Sequence, residues 1–266
     1  PYSSRPGLGT LAEAMSGYAD ITGQEDGPPT LPGFGLADSL AGITGAFSIL
    51  AALQYRHKTG KGQYIDVSLY EPLMSILGPL FLDYGQLGVK PKRLGSRLPF
   101  SAPRNVYLTK DNHWLAMSST APSIFDRTMR ALGLAHMIDD ERFSTNAARS
   151  KNHKELDAAI GAWVAERTLE EAMEVLVEAD AAAAPVYGVD QIFKDPQVQY
   201  RKSIIEVADP DLGMVAMQNI PARMSATPPK IRFAGRKIGA DTDEVYSKQA
   251  GLSQAEIEEL KTRGII

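Results

Sequence analysis

Apolar side chains recur from about Ser39 to Tyr55 in a long helical run, which stops at a basic, glycine-punctuated turn, Arg56-His57-Lys58-Thr59-Gly60-Lys61-Gly62. Tyr64 to Leu69 then alternates like a strand, so the pattern predicts a helix feeding a strand, half of a βαβ unit. Upstream, Pro6-Gly7, Pro28-Pro29 and Pro32-Gly33-Phe34-Gly35 mark residues 1–35 as loop-rich, with one helix from Leu11 to Tyr18. Downstream, a second apolar helix is expected from Tyr70 to about Leu87, with Pro72 in its first turn and Pro79 inside it. It leads into a basic loop holding Lys90, Lys92, Arg93 and Arg97.

The next stretch changes period. Val106 to Thr109 and His113 to Met117 read as a hairpin turning at Lys110-Asp111-Asn112. Three helices follow: Ser123 to Leu132 closed by Gly133, Asn152 to Glu166, and a third opened by the capping box Thr168 and Glu171. In the second, Leu156, Ile160, Trp163 and Val164 share one face, as expected of a helix lying on a small sheet. Ala181 to Val189 is an apolar return strand. A last hairpin, Ser203 to Val207 with Met214 to Ile220, precedes a crossing at Pro221, Pro228 and Pro229, and the box Ser253 and Glu256 starts a helix ending before Gly264.

The expected organisation is therefore α/β: residues 1–69 in a large domain, 70–97 a linking helix and loop, 98–190 a small α+β domain, 191–224 a return linker and hairpin, and 225–266 a segment returning to the large domain. A length of 266 residues suits about two domains, and 44% apolar with 23% charged residues supplies a sizeable core. That composition excludes disorder and collagen. A net charge of -4 with scattered Lys and Arg argues against nucleic acid or an anionic membrane as partner. With no Cys there is no disulfide framework or thiolate nucleophile, and a reducing cytoplasm fits. The longest near-apolar stretch, Ile43 to Leu53, is short of a membrane span, so no transmembrane helix is expected. The opening Pro-Tyr-Ser-Ser-Arg-Pro-Gly reads like the middle of a longer polypeptide.

Common catalytic signatures are missing. There is no G-x-S-x-G elbow, H-E-x-x-H site or paired-Cys metal site, and Gly60-Lys61-Gly62 with Tyr55 upstream is not a P-loop. His57, His113, His136 and His153 stand beside no patterned nucleophile and receive no role, and no metal is expected. Asp38 is different, set between a glycine-rich loop and a long apolar helix. Two readings fit it: an N-cap, or a carboxylate nucleophile approachable past flanking glycines at a helix N-terminus.

The run Asp38-Ser39-Leu40-Ala41-Gly42, Ala51-Ala52-Leu53, Arg56, Thr59-Gly60-Lys61-Gly62-Gln63 and Asp66-Val67-Ser68-Leu69 closely resembles class III CoA-transferases of the CaiB/BaiF type. Arg5-Pro6-Gly7, Ser16-Gly17, Thr22-Gly23, Arg142-Phe143, Asn146, Arg149, Asp195-Pro196-Gln197, Arg201 and Gly239 with Thr242-Asp243-Glu244-Val245 extend the resemblance over essentially the whole chain. The resemblance implies a Rossmann-like large domain, its N-terminal half absent from this sequence, an inserted small domain and an interlocked homodimer. It implies an acyl-CoA and a carboxylic acid as substrates, coenzyme A thioester chemistry without a tightly bound cofactor, and Asp38 as covalent nucleophile. Arg5, Leu69, Gly95, Ser96 and Arg97 become candidates for substrate or CoA contact. Two alternatives stay open: a 2-methylacyl-CoA racemase using Asp38 as base, and a truncated chain acting only in association.

Overall fold

The computed structural model describes residues 1–266, which divide into two compact units, residues 1–186 and 187–266. In the first unit the helix expected from Leu11 to Tyr18 is two short ones, α1 (Gly9–Met15) and α2 (Tyr18–Ile21). Gly17 separates them with φ 92, a left-handed backbone that glycine adopts without steric cost. The long helix α3 (Leu36–Thr59) starts earlier and ends later than its apolar run. Gly60 closes it in the left-handed conformation, its N–H bonded to Arg56 O at 2.8 Å.

Beyond α3 the expected strand is not formed. Residues 61–68 have no ladder partner, and Tyr64 is 90% exposed. An alternating pattern becomes a strand only beside another strand, and the two sheets of this chain lie elsewhere. The helix expected from Tyr70 to Leu87 is likewise broken, into α4 (Glu71–Ser75) and α5 (Leu80–Leu87). Pro72 sits in the first turn of α4, where its missing N–H costs nothing, and Pro79 precedes α5 as its N-cap instead of lying within a helix.

The main core lies around a three-stranded antiparallel sheet, β1 (Arg104–Leu108), β2 (Trp114–Ser118) and β3 (Ala183–Pro185), in the order β1-β2-β3. Val106 pairs with Ala116, and Ala116 with Ala184. Helices α6 (Pro122–Ala131), α7 (Asn146–Lys151), α8 (His153–Ala165) and α9 (Leu169–Glu178) accompany it, with a short 3-10 turn at Ala135–Met137. Phe125 and Met129 of α6, Leu156, Ile160 and Val164 of α8, and Ala172 and Leu176 of α9 are buried in one cluster with Tyr107, Leu115 and Met117 of the sheet. The capping box expected at Thr168 and Glu171 is present. The return strand is only three residues long, shorter than its apolar run.

Arg149, on α7, is 1% exposed and makes no ion pair. Its Nε donates to Ala102 O at 2.8 Å, Nη1 to Phe143 O at 3.1 Å and Nη2 to Thr120 O at 2.8 Å, with the guanidinium 4.2 Å from the Phe125 ring centre. Burial pulls its pKa below the ordinary arginine value. The planar fork thus ties three loop carbonyls to the core, which a lysine with its point charge would not do.

The second unit holds α10 (Val189–Ile192), α11 (Pro196–Tyr200), the antiparallel hairpin β4 (Ile204–Asp209) and β5 (Gly213–Gln218), α12 (Thr242–Lys248) and α13 (Gln254–Thr262). The hairpin and the Ser253–Glu256 capping box follow the sequence pattern. Ile257 is its buried anchor, and Lys261 on α13 bonds Asp243 on α12 at 2.7 Å.

One expectation needs correction. By length and composition α3 is long and apolar enough to cross a membrane: an 18-residue window has mean hydropathy 1.6, with 6% of it buried. Measuring Ile43 to Leu53 alone missed this, because Gly42, Gly45 and Ser48 interrupt the apolar run without ending the helix. Phe47, at 73% exposure, and Leu50 stand on its uncovered surface. A core helix of a soluble protein passes the same test of length and composition.

Ile160 is fully buried among α8, α9 and the sheet, so Ile160→Ala is expected to cost about 2–5 kcal/mol of stability. Urea denaturation followed by near-UV circular dichroism checks it.

Candidate functional site

The N-terminus of α3 meets α1 and α4 over a small apolar cluster of Ala12, Ala37 and Leu73, with Leu36, Leu40 and Leu69 partly buried against it. Leu69 therefore supports the floor of this junction. The first turn of a helix leaves N–H groups without partners inside the helix, and these must find acceptors elsewhere. Ser39 N–H closes the first turn onto Gly35 O at 3.0 Å.

Asp38 was one candidate for the cap, but the N-cap residue is Gly35, and Asp38 lies inside the first turn. The capping carboxylate is Glu13, from α1. Its Oε1 accepts from Leu36 N at 2.9 Å and from Ala37 N at 3.2 Å. Glu13 is only 3% exposed, so these are charge-assisted bonds in a dry setting, stronger than neutral ones. Sequence reasoning missed this residue. The available signal was a single carboxylate within the apolar run Leu11-Ala12-Glu13-Ala14-Met15, a position that demands a buried partner.

Because Glu13 caps the helix, the Asp38 carboxylate is not spent on backbone. The residue is exposed, and its carboxylate rests against two bare glycine Cα positions. A Cβ on Gly9 would collide with the Asp38 carboxylate, standing 2.7 Å from Cγ and 2.8 Å from Oδ1, and a Cβ on Gly35 would come 2.9 Å from Oδ2. The result is an accessible carboxylate at the positive end of a 24-residue helix, in a seat that only glycines leave open.

The other candidates are held elsewhere. Arg5 is exposed, with its guanidinium 3.8 Å from the Tyr2 ring centre and no ion pair. Gly95, Ser96 and Arg97 form a tie between loops. Gly95, at φ 63, donates its N–H to Gly23 O at 2.9 Å, Ser96 O accepts from Arg104 Nη1 at 2.6 Å, and Arg97 reaches Glu25 and Asp157, each at 3.3 Å. No hydrogen bond or ion pair joins any of these side chains to Asp38. None of the four histidines bonds it either, and no three His, Asp or Glu side chains converge as a metal site.

Comparison with known proteins adds independent findings. A family model described as CoA-transferase family III matches residues 1–242. A succinyl-CoA--D-citramalate CoA-transferase of Chloroflexus aurantiacus is 35% identical over the whole of this chain, and a succinate--glutarate CoA-transferase of Agrobacterium fabrum is 29% identical over 93% of it. The chain spans 66% of the first relative and 62% of the second, less than two thirds of either. Among solved structures, a CaiB/BaiF family protein from Brucella suis superposes with a TM-score of 0.78 at 27% identity, covering 93% of this chain and 64% of that one.

Two substitutions probe the seat. Glu13→Ala leaves one buried and one part-buried N–H group without an acceptor and should cost about 1–3 kcal/mol in chemical denaturation, most of it recovered by Glu13→Gln, whose amide oxygen can still accept. Gly9→Ala, at the first position of α1, should leave stability unchanged or raise it by up to about 1 kcal/mol. A crystal structure of that variant should nevertheless show the Asp38 carboxylate displaced.

Proposed function

The chain belongs to CoA-transferase family III, and from that premise we propose that its protein moves coenzyme A from an acyl-CoA to a carboxylic acid, with Asp38 as the covalent nucleophile. The observation that carries this reading is the exposed Asp38 carboxylate, freed from capping by Glu13 and seated on Gly9 and Gly35.

The chemistry asks little else of the chain. An Asp38 oxygen attacks the thioester carbonyl, the carbon–sulfur bond breaks, and an aspartyl acyl anhydride and CoA thiolate result. The thiolate then attacks the Asp38 carbonyl carbon and releases the first acid, leaving an aspartyl-CoA thioester. The acceptor carboxylate attacks that thioester, displaces thiolate and forms a second anhydride. Thiolate attack on its acyl carbon yields the new acyl-CoA and returns Asp38 as a carboxylate. Each step exchanges one activated acyl group for another, so no ATP is consumed.

Glycines at the seat suit this sequence because the carboxylate must be approached closely by a thioester carbonyl and then carry bulky adducts itself. The two relatives named for succinyl-CoA and succinate support small dicarboxylic acids as the exchanged pair. We further read the region around α3 as part of a Rossmann-like domain, residues 98–190 as a small domain inserted in it, and the working assembly as an interlocked homodimer, on the strength of the family resemblance. Acyl-CoA substrates and a second copy of the chain are then the partners.

In the protein that carries this chain, Asp38→Asn should lower exchange of isotopic label between acid and acyl-CoA by about three orders of magnitude or more. Exchange at the wild-type rate in that variant would sink the proposal.

A further inference from the structure

Ala37 is fully buried, and its N–H has a single acceptor in the chain, Glu13 Oε1 at 3.2 Å. Asp38 is the next residue, third after the N-cap Gly35. From that position a side-chain oxygen can turn back onto the free N–H groups of its own first turn, a local bond that aspartate forms readily. The Glu13 carboxylate occupies that place, and Asp38 lies exposed against Gly9 and Gly35 instead.

Glu13 is itself held from behind. Ser16, 2% exposed, donates its Oγ to Glu13 O at 3.0 Å and accepts from Tyr18 N at 3.2 Å, which pins the corner between α1 and α2. Ala12 packs with Ala37 and Leu73 on the same junction, so the carboxylate cannot withdraw while the helices stay docked. At 3% exposure Glu13 also meets little competition from water for the Ala37 N–H. One oxygen makes both bonds to the helix, so the acceptor atom, more than the charge, is what the place requires.

Without that acceptor a buried N–H is left unpaired, at a cost that any nearby acceptor relieves. Asp38 is the one carboxylate in the first turn of α3. Once bonded to the helix, it would have to break a charge-assisted bond and rotate outward before each attack, slowing the chemical step about ten- to hundredfold. Recognition of acyl-CoA would be untouched, because the Glu13 side chain is buried beneath the seat.

On the reading of Asp38 as nucleophile, we propose that Glu13 is a positioning residue for CoA transfer: by holding the Ala37 N–H from α1, it keeps the Asp38 carboxylate turned outward and sets the rate of its attack.

Two variants of the protein that carries this chain separate this role from stability. Glu13→Met keeps the length and packing of the side chain without an oxygen, whereas Glu13→Gln keeps the oxygen. Label exchange is measured at a temperature where circular dichroism shows both folded. Glu13→Met should lower kcat and kcat/KM for acyl-CoA together by about ten- to hundredfold, and Glu13→Gln should hold both within about threefold of wild type. A crystal structure of Glu13→Met should show the Asp38 carboxylate bonded to a first-turn N–H and off its glycine seat. If Glu13→Met fails to fold, Glu13→Asp, whose carboxylate is one carbon shorter, should show the same parallel loss. A merely structural role would lower the melting temperature and leave kcat per folded molecule in place. The positioning role is overturned by wild-type kcat in Glu13→Met, by equal losses in the Met and Gln variants, by a loss confined to KM, or by an unmoved Asp38. Wild-type exchange in Asp38→Asn would instead remove the nucleophile reading, and this role with it, whereas an inactive Asp38→Asn beside a fully active Glu13→Met removes the positioning role alone.

Discussion

The two hydrogen bonds from Leu36 and Ala37 to the Glu13 carboxylate decide what the start of α3 can be used for. A helix of this length carries a concentrated positive end, and some acceptor must meet its free N–H groups. If the acceptor came from within the first turn, Asp38 would be the natural donor of an oxygen and would be turned toward its own backbone. Glu13 supplies it from another helix, buried and charged. The nearest carboxylate on α3 is left exposed, and the junction is sealed beneath it by Ala12, Ala37 and Leu73. Loss of water around Glu13 strengthens those bonds, so the arrangement couples helix docking to the availability of Asp38.

Charge is handled differently around the three-stranded sheet. Asp157 there gathers Tyr107, Asn105 and Arg97 on one carboxylate, and Arg149 distributes one guanidinium over three carbonyls. Arg149 holds irregular backbone to the core, and Asp157 holds β1 and Arg97 to α8. Arg97 connects the two kinds of organisation within the first unit, since its other end reaches Glu25 in the loop after α2.

Much of this was legible in the residues, and the failures share a cause. Capping boxes at Thr168 and Ser253, the left-handed stop at Gly60 and the hairpin before Met117 are local signals, complete within a few residues, and the structure carries all of them. Residues 64–69 have the period of a strand but needed a neighbour that the pattern could not supply. Pro79 and Gly17 broke helices that apolar spacing alone had joined. At the site, Asp38 stood out because glycines flank it, yet capping was one of its two readings: the actual cap, Glu13, lies 23 residues upstream of the Leu36 N–H it accepts from, and no local pattern records a contact of that separation.

Gly9 and Glu13 stand four residues apart on α1, little more than one helical turn and a rise of about 6 Å. That turn works as a ruler. It sets the bare Cα that seats Asp38 at a fixed spacing from the carboxylate that anchors the helix bearing it. Lengthening or shortening α1 by one residue between them would swing one mark about 100° around the axis, whereas the segment from Thr22 to Pro32 is held by separate ties, through Gly23 to Gly95 and Glu25 to Arg97. Evolutionary drift in α1 should therefore be rigid in helical phase.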